Sequence, residues 1–429
     1  MSKEQKVAKE LLTFIWDSPS VYHVVDNIRK KLLQQNFLEL KEQEAWQLEA
    51  DKGYFVVRND SSIIAFRLPA KEIKGFHMVA AHGDSPTFKL KEHPELNVED
   101  QYIKLNTEKY GGMIHSTWLD RPLSVAGRIV VRNTEGKPEI KLVKVEKDLL
   151  VIPNLAIHMN RDVNKGYEYN PQVDLLPLMG LGKKKDAKSM LLKEVALAAG
   201  VKKEDILGQD LFLYVREMGR LVGANQELVL SPRLDDLQCV HAALAAFGEK
   251  NPKAYVNVLA VFDNEEVGST TAQGADSTFL KDTIGRVAEA LHWTEEERCC
   301  KLAESFLISA DNAHAVHPNH PEKADPSNRP YLGGGIVIKY HGSQKYTTDG
   351  VSGVAMKLWC EKAKVPYQTY YNRSDMVGGS TLGNISNSQI SVTSVDIGLP
   401  QLAMHSAIET AAGADSTAAM KMFKVFWSE

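Results

Sequence analysis

The sequence predicts an α/β protein in which a doubly wound mixed sheet is interrupted by a β-rich insertion. Near-continuous apolar runs, such as residues 76–81 and 256–262, are typical of strands buried on both faces of a largely parallel sheet. Between residues 93 and 226 the pattern changes to short β-like runs separated by turn residues. The chain has 429 residues, which exceeds the usual size of one domain. We therefore expect a discontinuous α/β domain, residues 1–92 and 227–429, and an inserted domain, residues 93–226.

The charge and composition argue against several classes of protein. The net charge of -4 does not indicate the excess of basic residues that is typical of proteins that bind nucleic acid. No apolar run approaches the ~20 residues that a membrane span requires, and the N-terminal residues contain no apolar signal core. The four cysteines form no C-x-x-C pair, which fits a reducing compartment. We expect a cytoplasmic protein that binds neither nucleic acid nor a membrane.

The first α/β segment is expected to contain two helices, a hairpin and a buried strand. Helical spacing of apolar residues predicts a helix over residues 6–16. Ser18-Pro19 has the form of an N-cap and a first-turn proline, which would begin a second helix that ends near residue 33. Asn59-Asp60, between the β-rich runs 54–57 and 63–66, predicts the hairpin. The run 76–81 is the buried strand.

The remaining elements are predicted from the same periodicities. The insertion is expected to contain a helix at 189–199 and strands at 127–132, 140–145, 149–153 and 211–216. In the second α/β segment, strands are expected at 256–262, 305–310, 333–340, 367–371 and 390–397. Helices are expected at 231–247, 278–293 and 351–363. The strand at 390–397 is predicted to be the last one before a C-terminal helix.

Residues with metal-binding side chains follow several of these strands. His82, Glu265-Glu266, Asp311 and His405 each come after an apolar strand, and Asp235 opens a helix. Each has an ordinary alternative: a solvated acidic loop, a loop histidine, or aspartates that suit a helix dipole. Together they are expected to converge, because the carboxyl ends of the strands of a doubly wound sheet meet at one crevice.

The types of side chain predict a metal centre. Imidazole and carboxylate are the donors expected for zinc, and manganese or cobalt would also accept them. Such a set exceeds the needs of one catalytic zinc and suits two cations ~3.5–4 Å apart that share a bridging aspartate, here Asp235. Glu265 is expected to be the general base that passes a water proton to a leaving amine, and Asp84 to orient His82. The side chains assigned as metal ligands are His82, Asp235, Glu266, Asp311 and His405.

A series of motifs in the chain carries a resemblance to a known family. The motifs are His82-Gly83-Asp84-Ser85-Pro86, Tyr110-Gly111-Gly112 with Trp118-Leu119-Asp120-Arg121, Leu155-Ala156-Ile157-His158, Pro232-Arg233-Leu234-Asp235, Asp263-Asn264-Glu265-Glu266-Val267-Gly268, residues 311–319, and Pro400-Gln401-Leu402-Ala403-Met404-His405-Ser406. Through them the chain resembles the M18 family of aminopeptidases, of the aspartyl aminopeptidase type, nearly from end to end.

The resemblance implies a catalytic domain of the zinc-peptidase type interrupted by a dimerisation domain, with subunits that form dimers and a tetrahedral dodecamer. It implies the two-metal site and the base assigned above, and release of N-terminal aspartate or glutamate from peptides. His158 matches a histidine that reaches the active site of a neighbouring subunit, so it is expected to contact substrate or the transition state, with a role as metal ligand as the alternative. Lys339 matches a lysine placed to meet an acidic side chain. His317 is assigned to substrate binding.

Departures from the family's pattern lie near the expected substrate side chain. They are Ala407-Ile408-Glu409 where arginine is common, Asn384 where proline is common, and Tyr340-His341-Gly342 after Lys339. They leave open the same chemistry with a preference for neutral N-terminal residues. The large β-rich insertion leaves open a second alternative, a metal-stabilised assembly protein without catalysis.

Overall fold

The computed structural model describes residues 2–249, 251–379 and 381–429, and within these ranges the chain forms ten α-helices and twenty strands. The helices are α1 (Lys3–Asp17), α2 (Val21–Gln34), α3 (Lys184–Ala187), α4 (Met190–Ala199), α5 (Leu234–Ala246), α6 (Phe279–Ala290), α7 (Glu295–Ala303), α8 (Gly350–Ala363), α9 (Leu382–Gln389) and α10 (Gly413–Phe426). The strands are β1 (Leu38–Leu40), β2 (Gly53–Arg58), β3 (Ser62–Arg67), β4 (Gly75–His82), β5 (Thr87–Val98), β6 (Tyr102–Tyr110), β7 (Leu123–Arg132), β8 (Pro138–Lys144), β9 (Leu178–Leu181), β10 (Ile206–Val215), β11 (Arg220–Val222), β12 (Leu228–Ser231), β13 (Tyr255–Phe262), β14 (Phe306–Ala310), β15 (Ala313–His314), β16 (Ile336–Lys339), β17 (Tyr367–Tyr370), β18 (Thr393–Gly398), β19 (Pro400–Leu402) and β20 (Glu409–Ala412).

A nine-stranded mixed sheet contains most of the buried strands, in the order β1-β2-β3-β13-β4-β14-β18-β16-β17. The neighbours β13, β4, β14 and β18 are parallel to one another. Every residue of β4 is buried, and so is all of β13 after its first residue. That burial explains the uninterrupted apolar runs in the sequence. Because parallel strands end at the same edge of a sheet, the residues that follow β4, β13 and β14 share one edge.

Helices cover both faces of this sheet. In β4, Val79 and Ala81 belong to the core formed with α1, α2, α5, α8 and α10. Phe76 and Met78 of the same strand belong to the core formed with α6 and α9. The alternation follows from the two-residue period of a strand, whose successive side chains point to opposite faces. The predicted doubly wound α/β fold is confirmed.

The hairpin predicted from Asn59-Asp60 is confirmed and positions the strand next to β13. β2 and β3 are antiparallel, with Val56 opposite Ile64. Asn59 and Asp60 have φ angles of 53° and 55°, in the left-handed region that asparagine and aspartate tolerate better than most residues. β3 then pairs with β13, so the hairpin extends the central sheet on the side away from β4.

The β-rich part of the chain forms a six-stranded sheet in which neighbouring strands are antiparallel, with the order β8-β7-β10-β5-β6-β9. Leu191 and Val195 of α4 pack against it in a separate apolar core. A third, five-stranded sheet, β11-β12-β20-β19-β15, joins strands from the middle and the end of the chain. The molecule therefore contains several mixed or antiparallel sheets.

Several elements differ from the sequence predictions. The strand near residues 390–397 is not the last one, because β19 and β20 precede α10. The helix α7 was not predicted; it buries none of its residues and is identifiable in the sequence only by the capping box of Thr294 and Glu297. At 149–153 the backbone makes only isolated bridges, at Leu150 and Val151. In the described parts of the chain, no helix combines the length and apolar character needed to cross a bilayer.

The helix predicted from residue 231 is present as α5, but its two aspartates are not in helical conformation. Asp235 has φ -80° and ψ 113°, and Asp236 has φ -113° and ψ 22°. Both side chains are almost fully buried. The helix dipole alone therefore does not explain these aspartates, because burying two carboxylates costs more free energy than the dipole contributes.

Candidate metal centre

The ends of three parallel strands bring the predicted ligands to one edge of the central sheet. β4 ends at His82, which lies directly opposite Phe262 at the end of β13. Glu265 and Glu266 follow in a short 3-10 turn that begins after Asn264, whose φ of 61° lies in the left-handed region. Asp311 follows β14, the other neighbour of β4. The register of the sheet thus aligns side chains that are far apart in the sequence.

Asp235 lies between the two histidines of the cluster. Its Oδ1 atom is 3.4 Å from His82 Nε2, and its Oδ2 atom is 3.4 Å from His405 Nε2. Asp311 Oδ1 is 3.8 Å from His82 Nε2, and Glu266 Oε2 is 3.4 Å from His405 Nε2. Two groups of donor atoms therefore share Asp235: one also contains His82 and Asp311, and the other also contains His405 and Glu266. Within each group the donor atoms lie within 4.8 Å of one another.

Hydrogen bonds at the opposite ring nitrogen direct Nε2 of both histidines toward Asp235. The Nδ1 atom of His82 lies 3.1 Å from the carbonyl oxygen of Asp84 and 3.3 Å from Asp84 Oδ1. The Nδ1 atom of His405 lies 2.6 Å from the carbonyl oxygen of Gly112. Since carbonyl and carboxylate oxygens only accept, Nδ1 of each ring carries a proton, and Nε2, once deprotonated, would be free to bind a cation.

Asp84 also holds the turn that carries the two glutamates. Its Oδ1 accepts a hydrogen bond from the backbone N–H of Glu265, and its Oδ2 accepts one from that of Glu266, each 3.2 Å long. The hydroxyl of Tyr110 donates a 2.7 Å bond to the same Oδ2. One buried carboxylate thus fixes both His82 and the glutamate turn. The contribution of Tyr110 was not predicted, although its motif was recognised.

The cluster concentrates negative charge away from water. Burial and neighbouring carboxylates raise the pKa of Glu265 to about 7, and they raise the pKa of Glu266 well above its usual value. Burial opposes ionisation of Asp235 too, but the imidazoles of His405 and His82 hold the pKa of Asp235 well below its usual value. The like charges that raise these pKa values are those that a bound cation would neutralise.

The donor set fits divalent cations. Asp235 Oδ1 and Glu266 Oε1 are buried and accept no hydrogen bond from the described residues. Buried polar atoms are normally satisfied, so such orphaned oxygens require another partner. Imidazole nitrogens and carboxylate oxygens are the donors that zinc takes in catalytic sites.

A cavity of about 300 Å³ opens beside the cluster. Asp235, Glu265, Asp311 and His405 line one part of it, and the remaining part is lined by His314, Lys339, Tyr346, Tyr370 and others. The Nζ atom of Lys339 is buried and donates a 2.7 Å hydrogen bond to the carbonyl oxygen of Asp311, with Asp311 Oδ2 at 3.3 Å. Burial lowers the pKa of Lys339, but the charge of Asp311 more than offsets this and leaves the lysine protonated.

Two predicted site residues lie apart from the cluster. His158 is exposed in a loop, and His317 is exposed with its ring 5.3 Å from that of His320. Of the described residues, the set that lines the cavity includes neither of them. It does include His314, which was not assigned to the site from the sequence. The sequence could have indicated that His314 is the better candidate, because it lies closer than His317 to the end of β14.

A mixed α/β sheet with imidazole and carboxylate donors at the ends of its parallel strands defines a metal-dependent enzyme of the zinc-peptidase type. The profile of the family described as Aminopeptidase I zinc metalloprotease (M18) matches residues 14–427. The chain therefore belongs to the M18 family, and it is a metalloaminopeptidase that hydrolyses N-terminal peptide bonds. This membership rejects the alternative of an assembly protein without catalysis.

Individual relatives agree with this assignment. The chain is 49% identical to the probable M18 family aminopeptidase 2 of Clostridium novyi, covering 100% of both chains. It is 38% identical to aspartyl aminopeptidase 4 of Saccharomyces cerevisiae, over 98% of this chain and 94% of that one. The solved structure of the mApe1 dodecamer of Saccharomyces cerevisiae has a TM-score of 0.87 at 26% identity, covering 99% of this chain and 97% of that chain.

Proposed function

We propose that the enzyme releases aspartate and glutamate from the N-termini of peptides, and that its metal centre holds two divalent cations. Zinc is the proposed metal, with manganese and cobalt as alternatives that accept the same donors. The observation that carries the two-cation proposal is the position of Asp235, whose two oxygens face different histidines at 3.4 Å each. A carboxylate with one oxygen directed to each donor group is suited to bridging.

The proposed ligands divide into two sets that share Asp235. His82 and Asp311 would complete one set, and His405 and Glu266 the other. A cation pair, when bound, would supply Lewis acidity toward a peptide carbonyl and a water molecule. Glu265 could also serve as a donor, because it lies with His82 and Glu266 in a third group of donor atoms. We assign it instead to proton transfer, since the other groups already provide both cations with ligands.

The proton chemistry is assigned to Glu265. Its carboxylate lines the cavity beside Asp235 and Asp311, where a peptide would have to lie. In the proposed reaction this carboxylate takes a proton from the attacking water and gives it to the nitrogen of the leaving amine. Asp84 keeps Glu265 in place by accepting a hydrogen bond from its backbone N–H, so the base is held by its main chain and its side chain remains free to move the proton.

Acidic specificity is proposed for the part of the cavity that contains Lys339. A buried ammonium group attracts a carboxylate strongly, because few competing water molecules screen it. The relative from Saccharomyces cerevisiae named aspartyl aminopeptidase 4 supports this preference. The alternative of neutral specificity was raised by departures from the family's sequence pattern. The contact between Lys339 and Asp311 also supports it, because it already uses part of the lysine's hydrogen-bonding capacity.

Chelation followed by return of single metals tests the proposed function. The apoenzyme should lose hydrolysis of N-terminal aspartyl and leucyl peptides, and zinc, manganese or cobalt should restore it at two ions per chain. Full activity in a strong chelator, or restoration by one ion per chain, would contradict the two-cation proposal. Equal kcat/KM values for aspartyl and leucyl peptides would support neutral specificity instead.

We also propose self-association through the inserted domain, into dimers and a tetrahedral dodecamer. The loop that carries His158 exposes the apolar side chains of Leu155, Ile157 and Met159. Apolar side chains grouped in this way are typical of protein interfaces. The related mApe1 is a dodecamer, which supports the same assembly here. In this assembly His158 would reach the substrate of a neighbouring subunit.

The mass of the particle in solution tests this assembly. Met159→Ser should shift the molar mass measured by light scattering toward the monomer. Leu33→Ser, a matched change at an exposed leucine of α2, should leave the mass unchanged. A monomeric wild-type protein with full activity would contradict the proposed role of His158.

A further inference from the structure

Glu409 connects two residues of the metal centre through their main chains. It is the first residue of β20 and is only 2% exposed. Its Oε1 atom accepts a 2.7 Å hydrogen bond from the backbone N–H of His405. Its Oε2 atom accepts a 3.1 Å bond from the backbone N–H of Asp235. One carboxylate thus fixes the backbone of a donor from α5 and of another from the loop between β19 and β20.

Neither of these two residues is held by regular secondary structure. Asp235 precedes the regular part of α5, and its φ and ψ angles are not helical. His405 has a φ of 66°, in the left-handed region that a residue with a side chain rarely adopts. A backbone N–H outside a helix or strand needs an acceptor of its own when it is buried. Glu409 supplies that acceptor in both places, so it opposes relaxation of either segment.

We infer that Glu409 is a positioning residue that sets the relative placement of Asp235 and His405. This inference rests on the proposed metal centre. Asp235 is shared by both donor groups, and His405 is the histidine of one of them. The Asp235 Oδ2 to His405 Nε2 distance of 3.4 Å therefore depends on two main-chain positions that meet at one carboxylate. Loss of Glu409 lowers the affinity of the group formed by Asp235, Glu266 and His405 more than that of the other group.

The five-stranded sheet holds Glu409 in position relative to Asp235 and His405. Glu409 lies opposite Ser231 in the pairing of β20 with β12, and β12 leads directly into the segment that carries Asp235. β20 also pairs with β19, which precedes His405. The strand that bears Glu409 therefore contacts the strands that lead to both donors. This arrangement explains how a residue that is not a ligand can fix the distance between two ligands.

Asp415 provides a matched control. It is also a buried carboxylate that accepts two backbone hydrogen bonds, from Gly333 at 2.9 Å and from Gly335 at 2.8 Å. Those bonds fix the loop before β16 and involve none of the proposed ligands. A change at Asp415 therefore reproduces the loss of a buried carboxylate with two backbone donors, without changing the placement of Asp235 and His405.

Metal titration of the apoenzyme tests the inference. Cobalt would be titrated against a competing chelator, with its visible absorption spectrum as a second measurement and the melting temperature of the apoprotein as a third. Glu409→Ala should lower the affinity for one of the two cobalt ions by about 10- to 100-fold, because changes to residues that hold metal ligands in place have effects of this size. It should also change the cobalt absorption spectrum. Glu409→Gln keeps one acceptor oxygen and should lose less affinity. Asp415→Ala should lower the melting temperature while leaving cobalt affinity and spectrum unchanged.

The outcomes separate the inference from the proposed function. Wild-type affinity and spectrum in both Glu409 variants, with two ions bound, would overturn the inference alone. A wild-type protein that binds no cobalt would overturn the proposed metal centre and the inference together. Equal losses of affinity in the Glu409 and Asp415 variants would assign Glu409 a purely structural role. If Glu409→Ala does not fold, the isosteric Glu409→Gln gives the decisive measurement.

Discussion

Phe262 lies directly opposite His82 in the register of two parallel strands, and both residues are the last of their strands. The chain that leaves β13 therefore turns at the same level as His82. Within a few residues it places Glu265 and Glu266 beside that histidine. The geometry of the metal centre thus begins with the pairing of two buried strands, before any polar contact contributes.

Glu265→Gln should reduce kcat while the protein keeps its metal ions. The amide cannot take a proton from water, and loss of a general base typically costs about 10²- to 10⁴-fold in rate. Turnover of an aspartyl peptide and metal content per chain are the two measurements. Glu266→Gln is the neighbouring control and should lower metal affinity instead. If Glu265→Gln releases an ion, Glu265 is a ligand and the assignment of the base is wrong.

Tyr110→Phe should weaken the support of the glutamate turn. The change removes the donor that meets Asp84 Oδ2 at 2.7 Å, and a hydrogen bond to a charged group contributes about 1.5–3 kcal/mol. We expect a lower free energy of unfolding together with a reduced kcat. Tyr214→Phe removes a 2.8 Å bond to the carbonyl oxygen of Val145 in the β-rich sheet, so it should change stability only. Unchanged kinetics in the Tyr110 variant would contradict the role of Asp84 in the turn.

Lys339→Met should change the choice of substrate. If the ammonium group attracts an acidic side chain, kcat/KM for an aspartyl peptide should fall at least tenfold more than that for a leucyl peptide. Because Lys339 also contacts Asp311, metal content must be measured in the same variant. An equal loss for both peptides together with loss of an ion would mean that the lysine serves Asp311 rather than the substrate. The ratio of the two kcat/KM values distinguishes these cases.

His77→Phe should make the free energy of unfolding depend less on pH between pH 7 and pH 4. The ring of His77 stacks between Tyr255 at 3.8 Å and Phe426 at 4.4 Å, and burial lowers the pKa of His77 to about 4. In the folded protein the pKa of His77 lies below the ordinary histidine value of 6.5, so the neutral ring stabilises the protein above pH 6.5. That contribution is lost as the pH falls toward 4.

The size of the acid effect follows from the same shift. At about 1.4 kcal/mol per pKa unit, the shift at His77 lowers the free energy of unfolding by on the order of 3 kcal/mol between neutral pH and pH 4. Urea unfolding of the wild-type protein and the variant between pH 7 and pH 4 measures it as a difference, so the contributions of other groups cancel. The stability of the variant should fall less steeply with acid. Parallel curves would mean that folding does not shift the pKa of His77.

The sequence was sufficient to predict the site residues that directly follow the strands of the central sheet. His82, Glu265, Glu266 and Asp311 follow strands whose apolar patterns are unmistakable, and parallel pairing brings such positions together. The hairpin at Asn59-Asp60 was predictable because its turn chemistry is local. These features depend on a short stretch of sequence or on one general rule of α/β sheets.

Other features depend on pairings that no local pattern specifies. Glu409 begins a short strand whose partners, β12 and β19, are distant or connected through an irregular loop, so its contacts with Asp235 and His405 could not be read from spacing. The non-helical backbone of Asp235 is set by its tertiary contacts, which override the helix-start signal. α7 escaped prediction because its short, charge-rich sequence contains few apolar residues. The position of His158 relative to a substrate is a question about a second subunit and stays a prediction.

The carbonyl oxygen of Gly112 that accepts the hydrogen bond from His405 has a consequence for protein engineering. Gly112 lies between β6 and β7, and Ile114 and Thr117 of the same segment bond to the backbone of His405 and Ala407. A shortened chain from which this intervening sequence is deleted would keep all five proposed ligands. His405, however, would lose the hydrogen bonds that orient its imidazole ring. Minimal versions of this enzyme therefore need to retain that segment or replace its acceptor.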